Sequence, residues 1–378
     1  MRTFRIRRGR QTVASMAAVM IVAGCAPTGG SAGSTSVGAP GPAASTMGTA
    51  TQQRGWRVGT EEHVDLWLHG FAMLTSDTGH VPFFLRDYKK DITALKRQRN
   101  VVTNLDANQP QLSQGFVRNP ALTNAQFLAM YFTTFQELVN AVDLFVRANG
   151  DPRAASDPMM QQEIALLAAN FPSPADRNWA RLFVQSLQDE STRFYHAYWV
   201  NEQSVRGAAF AQFNQGWIGQ YYPKLSRFLN NTQQAAGELV LSLPLGGEGR
   251  TVNGGKLTNV IAVEYPRTPE MAPNALFGFV HEAVASVVQE AINDNTTPAE
   301  QRSGATSGYV GNGAVRGGLL LLQRVAPDLA PAYMRYYLAT VGRTATGDPK
   351  AMFDATFPLP AGIITAISSG IESALGGI

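Results

Sequence analysis

Between residues 56 and 235, apolar side chains recur every three or four positions, the spacing that gathers them on one face of a helix. Val64, Leu66, Trp67, Leu68, Phe71 and Leu74 make a broad stripe that predicts a helix over 61–74. A second run, from Phe127 and Leu128 through Leu138 and Val142 to Phe145, predicts a helix opening at Thr123 and stopping at Asn149-Gly150. Ser173-Pro174 with Asp176 opens a third, through Trp179, Phe183, Leu187, Phe194 and Tyr198. The period then changes. Residues 238–244 and 258–265 are rich in aliphatic and β-branched side chains, with glycine-rich turn signals at 246–249 and 253–255 between them. These predict two or three short strands in a small antiparallel hairpin or sheet over about 237–265. Helices return at 273–292, 313–326, 331–340 and 363–375. The expected fold class is mainly α and multihelical, α+β overall, with the small sheet preceding a helix that carries His281 and Glu282.

The first 55 residues follow none of these patterns. Arg2, Arg5, Arg7, Arg8 and Arg10 precede an apolar stretch from about residue 13 to 23, which leads into Val22-Ala23-Gly24-Cys25. A basic start, a short apolar core and small residues at a cleavage point describe a secretory signal, and the stretch is about half the roughly 20 residues of a membrane span. Cys25 is the only cysteine in the chain, so no intrachain disulfide is available. The segment resembles the lipobox of bacterial lipoproteins. The resemblance implies that diacylglycerol, and with it palmitate-type acylation, is attached to Cys25 and that 1–24 is removed. It also implies an exported protein whose partner is the membrane. In that family an Asp after the cysteine retains the protein at the inner membrane; Ala26 stands there instead and favours the outer membrane. The Arg7-Arg8 pair leaves the export route open.

Residues 25–55 carry the lipidated cysteine and a Gly/Ser/Pro/Thr/Ala tether that cannot bury enough apolar surface to fold. A flexible coil of that length spans roughly 30 Å root-mean-square. The G-x-S-x-G pattern at 29–33 falls inside it, where no strand-to-helix turn can hold a nucleophile. Beyond it a helical region, 56–235, and a hairpin-plus-helical region, 236–378, are expected to pack as one body, with no further run long enough to cross a membrane. The full chain carries a net charge of +3, but the signal removes five arginines and no acids, so the mature chain is about 3 − 5 = −2. That balance leaves no electrostatic footprint for nucleic acid.

The chemical lead is His281-Glu282. A strand followed by a helix carrying His-Glu resembles, over 237–295, the zincin metallopeptidases, whose H-E-x-x-H helix binds zinc through two histidines and uses the glutamate as general base. The resemblance implies His281 as a metal ligand, Glu282 as the base and zinc as the cofactor. The second-ligand position is Ala285, and His63, His69, His80 and His196 lie at no zincin spacing; Glu290 and Glu300 are the nearest downstream acids. The plainer alternative is a core histidine. Gly308, Gly311, Gly313, Gly317 and Gly318 read as close helix packing rather than an anion loop, and Glu61-Glu62 with Asp87, Lys89, Lys90 and Asp91 read as solvated charge. Arg316, Arg324 and Arg335 with Tyr333, Tyr336 and Tyr337 read as a solvated face with aromatic anchors. Two functions follow: a non-catalytic envelope lipoprotein binding a protein or small ligand, and a zinc metallopeptidase-like hydrolase.

Overall fold

The computed structural model describes residues 55–75, 79–254 and 257–376, all within one compact unit, Thr51–Ile378. The signal, lipobox and tether lie outside the described residues. The chain opens with β1 (Trp56–Gly59), then α1 (Glu62–Leu74), α2 (Tyr88–Gln98), α3 (Asn104–Arg118), a 3-10 segment (Pro120–Tyr131), α4 (Phe135–Arg147), α5 (Pro158–Asn170), α6 (Pro174–Glu190), α7 (His196–Gly216) and α8 (Tyr222–Asn231). The sheet strands β2 (Gly237–Ser242), β3 (Arg250–Gly254) and β4 (Leu257–Glu264) follow. Helices α9 (Pro273–Ala283), α10 (Ala285–Asp294), α11 (Pro298–Ser303), α12 (Ala305–Val325), α13 (Ala330–Thr340), α14 (Lys350–Thr356) and α15 (Ala361–Ala374) complete the body. The mainly helical α+β class is as expected.

The sheet has four strands in the order β1-β2-β4-β3. The β3–β4 hairpin is antiparallel, as the turn signals indicate, with Thr251 opposite Ile261. β2 pairs with β4 in parallel, Leu239 opposite Ile261, and β1 joins β2 in parallel, Trp56 opposite Gly237. The sheet is therefore mixed and four-stranded, which corrects the expected antiparallel sheet of two or three strands: the β3–β4 hairpin is local, but β2 joins it in parallel, and β1, from far earlier in the chain, joins β2 in parallel. Leu239, Val240 and Leu241 of β2 and 260–263 of β4 are buried without alternation, which is what strands covered on both faces require. α9 covers one face, bringing Phe279 edge-on to Trp56 at 5.0 Å and to Trp217 at 4.7 Å.

α1 is the central helix, buried from His63 to Leu74. Gly70 makes this closeness workable: a Cβ there would lie 2.6 Å from the Phe183 ring. From α6 to α8 the helix is continuous but contains two π-helical turns, Ser191–Tyr195 and Trp217–Tyr221. The first follows directly on Glu190. Such one-residue widenings re-aim side chains and recur at functional positions.

Three further expectations need correction. The run from Thr123 to Phe145 is not one helix: the 3-10 segment ends in extended backbone at Phe132, and Thr134, bonded to Glu137 N at 3.1 Å, caps α4. The expected helix at 273–292 breaks at Val284 into α9 and α10. That stretch, Pro269–Asp294, is also long and apolar enough to cross a membrane by length and composition, contrary to the expected absence of such a run; 72% of its most apolar window is buried inside the body. Its buried side chains, among them Phe279, Val280, Val284, Val288 and Ile292, belong to the core.

Candidate functional site

His281 and Glu282 occupy the last turn of α9, both buried. His281 Nδ1 donates to Glu282 Oε1 at 3.0 Å, and the imidazole stacks on the Tyr337 ring at 5.9 Å. Glu282 Oε2 accepts from Thr251 Oγ1 at 3.1 Å, tying α9 to β3. Burial pushes the Glu282 carboxyl up, but the bond and charge of His281, then Arg250 and Thr251, outweigh it and hold the group below its ordinary value. Both carboxylate oxygens are engaged, one by His281 and one by Thr251.

This arrangement does not fit zinc. The two-residue match to H-E-x-x-H loses its geometry at Val284, because Ala285 belongs to the next helix and is exposed. Glu290 is exposed on α10, and Glu300 is spent capping α11 through Thr297 N at 2.8 Å. Among the described residues no group of three or more His, Cys, Asp or Glu is placed to hold a metal ion. A catalytic zinc site needs three such ligands and an open position.

A different polar centre lies inside the helical half. Glu190 and His69 are both fully buried, and His69 Nε2 sits 3.0 Å from Glu190 Oε1. A carboxylate only accepts, so this nitrogen carries the hydrogen, and Nδ1 faces the Tyr88 hydroxyl at 3.0 Å. Lys96 Nζ reaches the same carboxylate at 2.8 Å and Asp106 at 2.6 Å, while the Thr103 hydroxyl closes on Glu190 Oε2. Burial pushes Glu190 up, but His69 and Lys96 overcome it and bring its pKa to about 2. Each buried charge thus has its partners, as burial demands.

Beside this network, Asp65 of α1 accepts from Ser242 Oγ, from Leu243 N at 3.1 Å and from Trp199 Nε1 at 3.0 Å. Complete burial drives its carboxyl up to about 7 against the pull of those donors. Glu61, at the entry to α1, is also pushed to about 7, first by burial and then by the charge of Glu238. It is therefore not the freely solvated charge its sequence suggests. Glu62 faces His196 at 2.9 Å.

Over this interior opens a cleft of about 200 Å³ between α2, α7 and the ends of β2 and β4. Leu85, Ile92, Leu95 and Leu243 give it apolar walls, and Tyr88 connects it to His69. Its polar groups are Asp91, Tyr198, Glu202, Arg206 and Arg267. A second hollow, of about 210 Å³ beside Trp179, offers only exposed polar side chains, Gln111, Arg118 and Asn178.

Most of the other sequence leads resolve as packing or ion pairs, although Gly308 and Gly311 have no atom within 4 Å of a would-be Cβ. A Cβ on Gly313 would lie 2.5 Å from Val288 Cγ1, and one on Gly318 2.2 Å from the Tyr333 hydroxyl, so α12 uses these glycines for close approach. Arg316 pairs with Asp354 at 2.6 Å, and Arg324 with Glu372. Tyr333 and Tyr337 are core residues, and Tyr336 bonds Glu264 at 2.7 Å. His63 is bonded to Phe132 O at 2.8 Å. The cleft residues carry no motif: Asp91 reads in sequence as part of a solvated charge cluster, and nothing sets Arg206 or Arg267 apart. Comparison with protein-family models, curated proteins and solved structures finds no match to this chain.

Proposed function

We propose that this chain is a lipid-anchored lipoprotein of the cell envelope whose folded body binds a ligand rather than catalysing a hydrolysis. The observation that carries the binding reading is the state of Glu282. Its carboxylate is held by Thr251 and His281 within a packed helix end, and among the described residues it belongs to no group of three or more potential metal ligands. A general base needs a water or substrate proton within reach. This one is occupied as a tie between α9 and β3. Anchoring follows from Val22-Ala23-Gly24-Cys25 behind the arginine-rich leader. The mature protein then sits at the envelope, with the outer membrane favoured by Ala26.

Growth with an alkyne-tagged palmitate analogue tests the anchor: the wild-type chain takes up label and fractionates with membranes, and Cys25→Ala loses both. Metal analysis of the purified full chain tests the second half. Zinc well below stoichiometry, unaltered in His281→Ala, is expected. Stoichiometric zinc that disappears in His281→Ala restores the metallopeptidase reading.

A further inference from the structure

We infer that the cleft between α2 and α7 binds a small apolar zwitterion, of the size of one amino acid or a dipeptide, by its two charged ends. This deepens the binding reading above and rests on it. Arg206 is only 6% exposed, yet its guanidinium is incompletely used. Nε donates to Glu202 Oε2 at 2.9 Å and Nη1 to Tyr265 O, while Nη2 makes no hydrogen bond among the described residues. The Tyr198 hydroxyl, in a side chain 8% exposed on the same wall, makes none either.

Two further charges stand at the rim on separate elements. Arg267 follows β4 and Asp91 lies in the first turn of α2; both are exposed, and neither side chain forms an ion pair or hydrogen bond among the described residues. They line one cleft without closing on each other. A zwitterion satisfies all of them together: its carboxylate receives the planar donors of Arg267 and Arg206 Nη2, and its ammonium meets Asp91. The apolar remainder lies against Leu85, Ile92, Leu95 and Leu243. The volume sets the size. About 200 Å³ is below the roughly 300–1,000 Å³ of clefts that hold drug-sized ligands.

Calorimetric titration of the full chain in detergent with L-leucine and with the dipeptide Leu-Leu tests this. The comparison probes are 4-methylpentanoate, which lacks the ammonium, and 3-methylbutylamine, which lacks the carboxylate. At least one zwitterion binds saturably, and each single-charge probe binds at least about tenfold more weakly. Arg267→Ala and Asp91→Asn, both at exposed positions, each weaken the zwitterion by about tenfold or more with an unchanged melting temperature. Absence of saturable binding by either zwitterion overturns the inference. Equal binding of 4-methylpentanoate overturns it in favour of a simple anion site, and binding untouched by both variants places the ligand elsewhere. Palmitate labelling at Cys25 is read separately, so the anchor stands or falls on its own; conversion of the dipeptide to leucine during titration overturns the non-catalytic reading instead.

Discussion

Lys96 and Glu190, 94 residues apart in the chain, meet at 2.8 Å in an interior where Glu190 has no exposure and the lysine almost none. Taking two charges out of water is costly, and only complete partnership offsets it. His69, Thr103 and Asp106 supply that partnership. Removing one member leaves a buried charge behind, whereas replacing both ions with apolar side chains is far milder.

Glu190→Gln is accordingly expected to cost about 3 kcal/mol, the lower end of the range for broken buried pairs, because Asp106 still faces Lys96. Lys96→Met combined with Glu190→Leu recovers a large part of that loss. Urea unfolding followed by tryptophan fluorescence measures both. A double variant no better than Glu190→Gln would show that the network specifies the fold rather than merely tolerating its charges.

The carboxyls of α1 and α6 give stability opposite pH dependences. Asp65 rises from 3.8, and Glu61 from 4.5, to about 7, so the folded protein retains protons that the unfolded chain releases. Stability therefore declines as pH rises from about 4 to 7. Glu190, held at about 2, works in the other direction: its contribution is complete above its ordinary 4.5 and is lost as pH falls from there towards 2. Thermal unfolding between pH 4 and 8 is expected to show the first decline in the wild type and a flatter one in Asp65→Asn. An unchanged slope in the variant would assign the decline to other groups.

Close packing of α12 separates glycines that look alike in sequence. Gly318→Ala pushes a methyl into the Tyr333 hydroxyl, which is bonded to Val315 O at 2.9 Å and cannot move aside, and should cost about 1–3 kcal/mol. Gly311 on the same helix has no atom within 4 Å of its would-be Cβ, and Gly311→Ala is expected to stabilise by about 0.5–1 kcal/mol. Paired melting curves distinguish them. A similar effect of both substitutions would contradict the packing assignment.

The caps of the α4 region offer a local test. Thr134→Ala removes the bond to Glu137 N and is expected to cost about 1 kcal/mol. Thr123→Ala loses only a bond from an exposed hydroxyl to Pro120 O and should cost a small fraction of that. Chemical denaturation of the two single variants is sufficient. Equal costs would restore Thr123 as the helix start.

These cases show where sequence reading succeeds. Ser173, Pro174 and Asp176 carry a capping box within four residues, and the helix starts there because every partner is local. The β3–β4 turn is legible for the same reason. The break at Val284 is not, because α9 ends where packing under the sheet stops, and the apolar spacing continues through it. β1 is four residues long, and only its pairing with β2, 181 positions later in the chain, makes it a strand. The site was the least legible. His281-Glu282 fits two positions of a motif and is held as a tie between α9 and β3, while Arg206, Arg267 and Asp91 match no motif. Their relation exists only once α2, α7 and the end of β4 are brought together.

The placement of β1 also sets an order of events in folding. Trp56 to Gly59 are among the first residues of the body to emerge in synthesis, yet their parallel partners, Gly237 to Val240, come far later. Contacts of such long sequence separation form late and slow the approach to the native state. Trp56 therefore waits until Phe279 arrives against its indole and Trp217 bonds its backbone carbonyl. The strand that opens the body is made first and locked last, so the core is completed only after most of the chain is available.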